Sequence, residues 1–308
     1  MEILNQNSRL APGTVAATIG MFDGVHLGHL TLIGALKREA AQRGLKTCVV
    51  TFVQHPQVVL RPGSDLKMLM TVDDKLAEIE RLGVDYVVLL DFTERLSRYS
   101  SRQFIQLLRD RFGMAVLVAG YDHHFGHDVG KDFGHYVSIG RSLGVDIVKA
   151  PEYLGTHAPV SSSIIRRLIA SGKVDDAMRC MGRPFKIKGT VVQGFHNGRR
   201  IGFPTANLGM LNPNLILPHN GAYAVWVNLG GQRLQGMVNV GRRPTLDNGS
   251  QLSVEVNIFD FDRDIYGEVV ELEFIKFLRL EFKLGSVEEL RAQLTRDRDR
   301  SRAILSQA

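Results

Sequence analysis

Cysteine is nearly absent, with only Cys48 and Cys180 in a chain of 308 residues. Two such distant thiols build no disulfide framework, and neither CxxC nor HExxH occurs to suggest a structural or catalytic metal. Their scarcity suits a reducing cytoplasm, which is the compartment expected. Tryptophan occurs once, at position 226, and aromatics make up 7% of the chain. A barrel that binds nucleic acid displays aromatics interleaved with basic residues, whereas the phenylalanines here mostly follow core spacing. No apolar run approaches the length of a membrane span. The opening MEILNQNSRLAPG lacks a basic stretch followed by an apolar one, so no secretory leader is expected. Internal repeats and low-complexity segments are also missing. What remains is an ordinary globular composition, 44% hydrophobic and 23% charged, with length enough for two cores. The net charge of +6 favours anionic partners. The basic residues are spread along the chain rather than bunched, so nucleotides and phosphates fit better than nucleic acid.

Two periodicities divide the chain. Over residues 1–182, short apolar stretches alternate with helical ones. Val15 to Ile19, Thr47 to Phe52, Tyr86 to Leu90, Ala115 to Ala119 and Val145 to Val148 read as strands. Helices are predicted from Leu30 to a stop at Gly44, from Thr71 to Leu82, from Ser101 to Phe112, and in a segment closing at Gly144. That alternation predicts an α/β domain with a doubly wound parallel sheet, whose ligands lie at the carboxyl ends of the strands. Over 183–308, the stretches Phe185 to Val192, Ala222 to Leu229, Leu234 to Val240, Leu252 to Phe259 and Val269 to Phe277 read as strands separated by Gly, Pro and Asn turns. Leu252, Val254, Val256 and Ile258 share one face, and Ser253, Glu255 and Asn257 the other. These features predict a small antiparallel β-barrel, followed by a helix that Ser286 caps.

Chemistry concentrates in a few segments. Gly20-Met21-Phe22-Asp23-Gly24-Val25-His26-Leu27-Gly28-His29 runs from the first strand into a helix. His26 and His29 fall on one face of its first turn, where free N–H groups and the dipole attract anions. Gly24 and Gly28 favour close approach of a ligand to the backbone. A lone His at a helix start is more often a cap, and two His without a third ligand are a poor zinc site. The combination points to phosphate. His55 and Asp122 also follow strands and could meet His26 at the sheet's carboxyl edge. Ser161-Ser162-Ser163, with Arg166 one turn on, open another helix able to hold phosphate. In the second half, GFHNGRRIGFPTAN, from Gly194 to Asn207, combines a permissive loop with glycines at 194 and 202. Its Thr205 and Asn207 offer oxygen ligands suited to a magnesium–nucleotide complex.

Taken together, these segments resemble the bacterial bifunctional riboflavin kinase/FMN adenylyltransferases, also called FAD synthetases. GMFDGVHLGH and SSSIIR resemble nucleotidyltransferases generally. GRRIGFPTAN, GRRPT, EVNIFDF and IYGE resemble the riboflavin-kinase module specifically. The resemblance implies an adenylyltransferase domain over 1–182 and a kinase domain over 183–308, with riboflavin, FMN and ATP as partners and Mg2+ as cofactor. Riboflavin would be phosphorylated to FMN, and FMN adenylylated to FAD with release of pyrophosphate. It implies that His26, His29 and Arg166 act on the ATP phosphates and that Glu255 is the base for the ribityl hydroxyl. Gly20, Phe22, Gly24, Gly28, His55, Asp122, Ser161, Ser162, Ser163, Gly194, Gly202, Thr205 and Asn207 would line the ligands, Thr205 and Asn207 also holding the metal. The chain departs from the family pattern at Gln54, His123, Val129, Ile164 and Asn257. Two other readings remain open: a nucleotidyltransferase acting on another phosphorylated small molecule with a regulatory barrel, and a nucleic-acid-binding barrel protein.

Overall fold

The computed structural model describes residues 1–120, 125–128, 132–155, 160–194, 198, 201–209, 211–244, 250–281 and 285–307. Expectations at Asp122, His123 and Val129 lie outside the described residues. The chain forms two compact units, Met1–Leu66 with Thr71–Ser161, and Lys67–Met70 with Ser162–Ala308.

The first unit holds a six-stranded sheet with β1 (Glu2–Asn5), β2 (Val15–Ile19), β3 (Lys46–Phe52), β4 (Tyr86–Leu90), β5 (Met114–Ala119) and β6 (Asp146–Lys149). Their spatial order is β1-β4-β3-β2-β5-β6, and every pairing is parallel. All five residues of β2 are buried, as a central strand covered on both faces requires. The chain winds outward from β2 through β3 and β4, then returns to add β5 and β6 on the other side. The order therefore reverses at β2 and β5, where a parallel sheet opens a ligand crevice beyond its carboxyl ends. The strand β1 escaped prediction because Leu4 is the one buried residue of its four, too little for a periodicity.

The helices of this unit are α1 (Leu27–Arg43), α2 (Pro56–Leu60), α3 (Val72–Arg81), α4 (Glu94–Ser97), α5 (Ser101–Phe112) and α6 (Phe133–Leu143). Local chemistry sets their ends. Gly44, Gly113 and Gly144 terminate α1, α5 and α6 in the left-handed conformation. Thr71 caps α3 and Ser100 forms a capping box with Gln103 on α5. The longer elements were thus legible, whereas α2 and α4 are single turns without a sequence period.

In the second unit, β7 (Phe185–Val192), β8 (Ala206–Gly209), β9 (Gly221–Leu229), β10 (Gln232–Pro244), β11 (Ser250–Ile258) and β12 (Val269–Arg279) close into a barrel of order β10-β11-β8-β7-β12-β9. Each of its pairings is antiparallel. The alternation expected on β11 holds at Val254, Val256 and Ile258, which are buried in the barrel. Asn257, expected on the opposite face with Ser253 and Glu255, is 6% exposed, so that face is covered there. The helices α7 (Ser162–Ala170) and α8 (Val174–Met181) belong to this unit, and α9 (Val287–Leu305) follows the barrel with Ser286 as its cap. Val174, Ala177 and Met181 of α8 are buried, and Asp175 pairs with Lys276 of β12. The compact division consequently falls at residues 161 and 162, ahead of the change in sequence period at 182 and 183.

Candidate active sites

The turn between β2 and α1 is strained and buried. Phe22 and Val25 have φ of 51° and 36°, and Gly24 one of 83°. Left-handed backbone at a β-branched residue is costly, so the surrounding structure must hold it. Phe22 is fully buried, and its ring lies 4.8 Å from that of His29. A Cβ at Gly20 would lie 3.0 Å from the Phe22 ring, so glycine there admits the ring that supports His29.

His26 caps α1 and His29 answers it. The His29 N–H donates to His26 Nδ1 at 3.4 Å, and the His26 N–H donates to His29 Nδ1 at 3.3 Å. The two rings stack with centroids 3.7 Å apart. In this reciprocal box each Nδ1 is an acceptor, which assigns the proton of both neutral rings to Nε2. The capping and phosphate-binding readings of these histidines are therefore compatible, because Nδ1 caps while Nε2–H is the donor a phosphate oxygen needs. Gly28 completes the arrangement, since its added Cβ would press on the His26 ring at 3.2 Å.

His55 lies beyond β3 and caps α2, its Nδ1 accepting from the Gln57 N–H at 3.1 Å. Between these strand ends opens a cavity of about 420 Å³, walled by Ile19, Met21, Phe52, Phe92, Phe104 and Phe125. Gly20 is on its rim, so the apolar cavity and the histidine turn share one wall. Ser161 closes the first unit, whereas Ser162, Ser163 and Arg166 lie on α7 in the second.

The second unit gathers its own group. Glu255 of β11 stands opposite Asn207 of β8 in the antiparallel register, which places both side chains on one face as cross-strand neighbours. Ser253 Oγ donates to Glu255 Oε1 at 3.0 Å and fixes the carboxylate. Any side chain at Gly194 would overlap the Asn207 amide, so that glycine is a cradle for it. Gly202 turns with φ of 81°. Thr205 lines two cavities at once. One, of about 290 Å³, is lined by Phe203, Met237, Leu290 and Leu294 and by the polar Glu255, Asn257 and Asp297. The other, of about 270 Å³, is lined by Val256, Ile258, Ile265, Tyr266 and Asp262. Asn257 Nδ2 donates to the Pro204 carbonyl at 2.6 Å and so holds the backbone just before Thr205.

Thr205 is thus common to the lining of both cavities, and Glu255 lines one of them. Residues 9–164 match the family model described as FAD synthetase, and residues 181–305 the one described as riboflavin kinase. Over 291 residues the chain is 37% identical to the bifunctional riboflavin kinase/FMN adenylyltransferase of Listeria monocytogenes, covering 94% of this chain and 91% of that one. The chain belongs to this family. The homologous enzyme of Escherichia coli K12 is 34% identical, over 91% of this chain and 89% of its own. A crystal structure from Streptococcus pneumoniae, described as a macrolide-efflux protein, superposes with a TM-score of 0.89 at 30% identity, covering 98% of this chain and 99% of that one. Among the described residues no helix is long and apolar enough to cross a membrane.

Membership in the bifunctional riboflavin kinase/FMN adenylyltransferases makes this an enzyme of flavin-cofactor biosynthesis. The match to riboflavin kinase replaces the two other readings of the barrel, as a regulatory or a nucleic-acid-binding module. Sequence reasoning missed several residues that the fold places at these sites. Phe92 and Phe104 carry no motif, and they meet Phe52 and Phe125 in the wall of the first cavity. Asn257 stood out only as a departure from the family pattern, and Lys75 was not singled out. The signal for Asn257 was present in the EVNIFDF segment. No sequence signal marks Lys75.

Proposed function

We propose that residues 1–182 carry adenylyl transfer to FMN and residues 183–308 carry phosphorylation of riboflavin, each reaction on its own set of residues. The observation that supports this most directly is Thr205 in the wall shared by two cavities, beside the Glu255–Asn207 cross-strand pair.

In the kinase half, the cavity lined by Phe203, Leu294 and Glu255 receives the flavin, and the other cavity lined by Thr205 receives ATP. Glu255, oriented by Ser253, accepts the proton of the ribityl 5′-hydroxyl as its oxygen attacks the γ-phosphorus. The bond to the β-phosphate oxygen breaks and ADP departs. Thr205 Oγ, the Asn207 side-chain oxygen and the nearby carboxylate form a hard oxygen set that fits magnesium shared with phosphates. When bound, the ion would neutralise phosphate charge, as in-line phosphoryl transfer demands.

In the adenylyltransferase half, the aromatic-walled cavity takes the isoalloxazine ring, leaving the FMN phosphate to face the strand ends. A phosphate oxygen of FMN attacks the α-phosphorus of ATP, and the bond to the β-phosphate oxygen breaks. His26 and His29 donate from Nε2 to the pyrophosphate as its charge develops. Gly24 and Gly28 permit close approach. His55 and Ser161 contribute contacts to the nucleotide and flavin phosphates. The free thiols, Cys48 buried and Cys180 half-buried, support a cytoplasmic setting.

Incubation with riboflavin, ATP and Mg2+, with products separated by chromatography, tests both assignments. FMN and FAD should both form, and chelation of the metal should stop both. Failure to form FMN refutes the kinase assignment, and FMN without FAD refutes the other.

A further inference from the structure

A buried cation stands behind the histidine turn. Lys75, in the first turn of α3, is 3% exposed. Its Nζ donates to the Phe52 carbonyl at 2.8 Å, to Thr51 Oγ1 at 3.1 Å and to the Met21 carbonyl at 3.3 Å. Thr51 Oγ1 in turn donates to the Met21 carbonyl at 3.1 Å, closing the group into a ring. An ammonium has three N–H bonds and meets three acceptors here, so each donor has one place to go.

This is an expensive way to fill space. A buried charge costs free energy that an apolar side chain of similar volume would not, and among the described residues no carboxylate lies within hydrogen-bond distance of Nζ to offset it. Burial pulls the amine down to about 8, while the field of the buried Asp23 pulls it up and favours the ammonium. The acceptors show what the charge achieves. Met21 immediately precedes Phe22, the first left-handed residue of the strained turn, and Phe52 ends β3 three residues before His55. Met21 and Phe52 also wall the aromatic cavity. One cation thereby ties together the two strand ends that deliver His26, His29 and His55.

We propose that Lys75 is a positioning residue for adenylyl transfer: its ammonium locks the turn after β2 to the end of β3, fixing the imidazoles against the departing pyrophosphate. The proposal rests on the reading of His26 and His29 as phosphate donors. A residue that only fills the core would lower the amount of folded enzyme without changing the rate of what remains. A residue that sets geometry for the transition state lowers kcat while leaving KM nearly unchanged.

The test uses the full-length chain carrying Lys75→Met, of similar volume and uncharged. FAD formation from supplied FMN and FMN formation from riboflavin are measured separately, normalised to folded protein by circular dichroism. FAD formation should lose about tenfold or more in kcat, with the KM values for ATP and FMN within about threefold, since displacements well under 1 Å suffice for such losses. FMN formation should stay within twofold. Equal loss of both activities, a change confined to KM, or unchanged FAD formation would overturn the proposal. Should Lys75→Met fail to fold, Thr51→Val decides. It removes one acceptor and the relay to Met21, and must lower kcat for FAD formation in the same direction, or the proposal fails. His29→Ala, run alongside, separates the two levels of inference. If it leaves FAD formation intact, the reading of the histidines is wrong. If it abolishes FAD formation while the Lys75 and Thr51 variants do not, only the role of Lys75 is wrong.

Discussion

Replacing Gly28 by alanine should separate stability from activity within one side chain. Gly28 is the second residue of α1, a helical position where alanine is ordinarily preferred by about 1 kcal/mol. The new Cβ would lie 3.2 Å from both Cε1 and Nδ1 of His26, so the ring must yield by a few tenths of an ångström. The bond most exposed to that shift is His29 N–H to His26 Nδ1, already long at 3.4 Å. Losing a side-chain cap costs about 1 kcal/mol, so gain and loss nearly cancel and the melting temperature should hardly move. Activity has no such compensation. If misplacement by 1 Å costs about a hundredfold, a few tenths should cost roughly tenfold in FAD formation. FMN formation, proposed to rest on other residues, should be unaffected. The assay is FAD formation from FMN and ATP, followed by chromatography, beside thermal unfolding by circular dichroism. A stable Gly28→Ala enzyme making FAD at the wild-type rate would refute the reasoning, because His26 would then not need its present place.

Three further outcomes follow from the same structure. His29→Ala removes one preorganised donor and should lower FAD formation by about 10²–10³ while FMN formation persists, measured with each substrate supplied separately. Glu255→Gln should lower FMN formation by about 10²–10⁴ and spare FAD synthesis from supplied FMN, and equal effects on both would contradict the assignment. Asp128 supplies a pH test of stability. Desolvation raises its pKa, but the Ser101 hydroxyl and N–H, at 2.6 and 2.7 Å, outweigh this and hold the carboxyl at about 2. An ordinary Asp titrates near 3.9 when unfolded, so this carboxylate stabilises the fold above about pH 4 and stops doing so as the pH falls through about 2. Because solvent screens a carboxylate this accessible, Asp128→Asn should cost only about 1 kcal/mol at pH 7, the gap to wild type shrinking between pH 4 and 2. Urea unfolding at three pH values measures it, and a gap independent of pH would be the wrong result.

Much of this architecture was legible because it rests on local rules. Fully buried β2, the glycine stops of α1, α5 and α6 and the caps at Thr71, Ser100 and Ser286 are written within a few residues of where they act. The histidine turn was legible for the same reason, as was the PTAN segment. What stayed hidden depends on distant partners. The aromatic cavity draws on side chains separated by tens of residues, and Asn257 is buried only because another segment covers it. The placement of α8 with the barrel follows from side-chain packing that no periodicity announces. Lys75 is the extreme case, because its three acceptors come from residues 21, 51 and 52 and nothing in its own neighbourhood distinguishes it from a solvated lysine.

The register between β8 and β11 limits how this enzyme can diverge. Glu255 faces Asn207 through three consecutive pairs, Val254 with Leu208, Glu255 with Asn207, and Val256 with Ala206. Deleting one residue anywhere ahead of Glu255 within β11 would slide this pairing by one. The carboxylate would then turn into the barrel and a valine into the cavity. Point substitutions can be accepted on either face of this strand one at a time, whereas a change in its length inverts both faces together. Length variation among related enzymes should therefore collect in the turns, and the spacing from Ser253 to Asn257 should be inherited intact even where its residues differ.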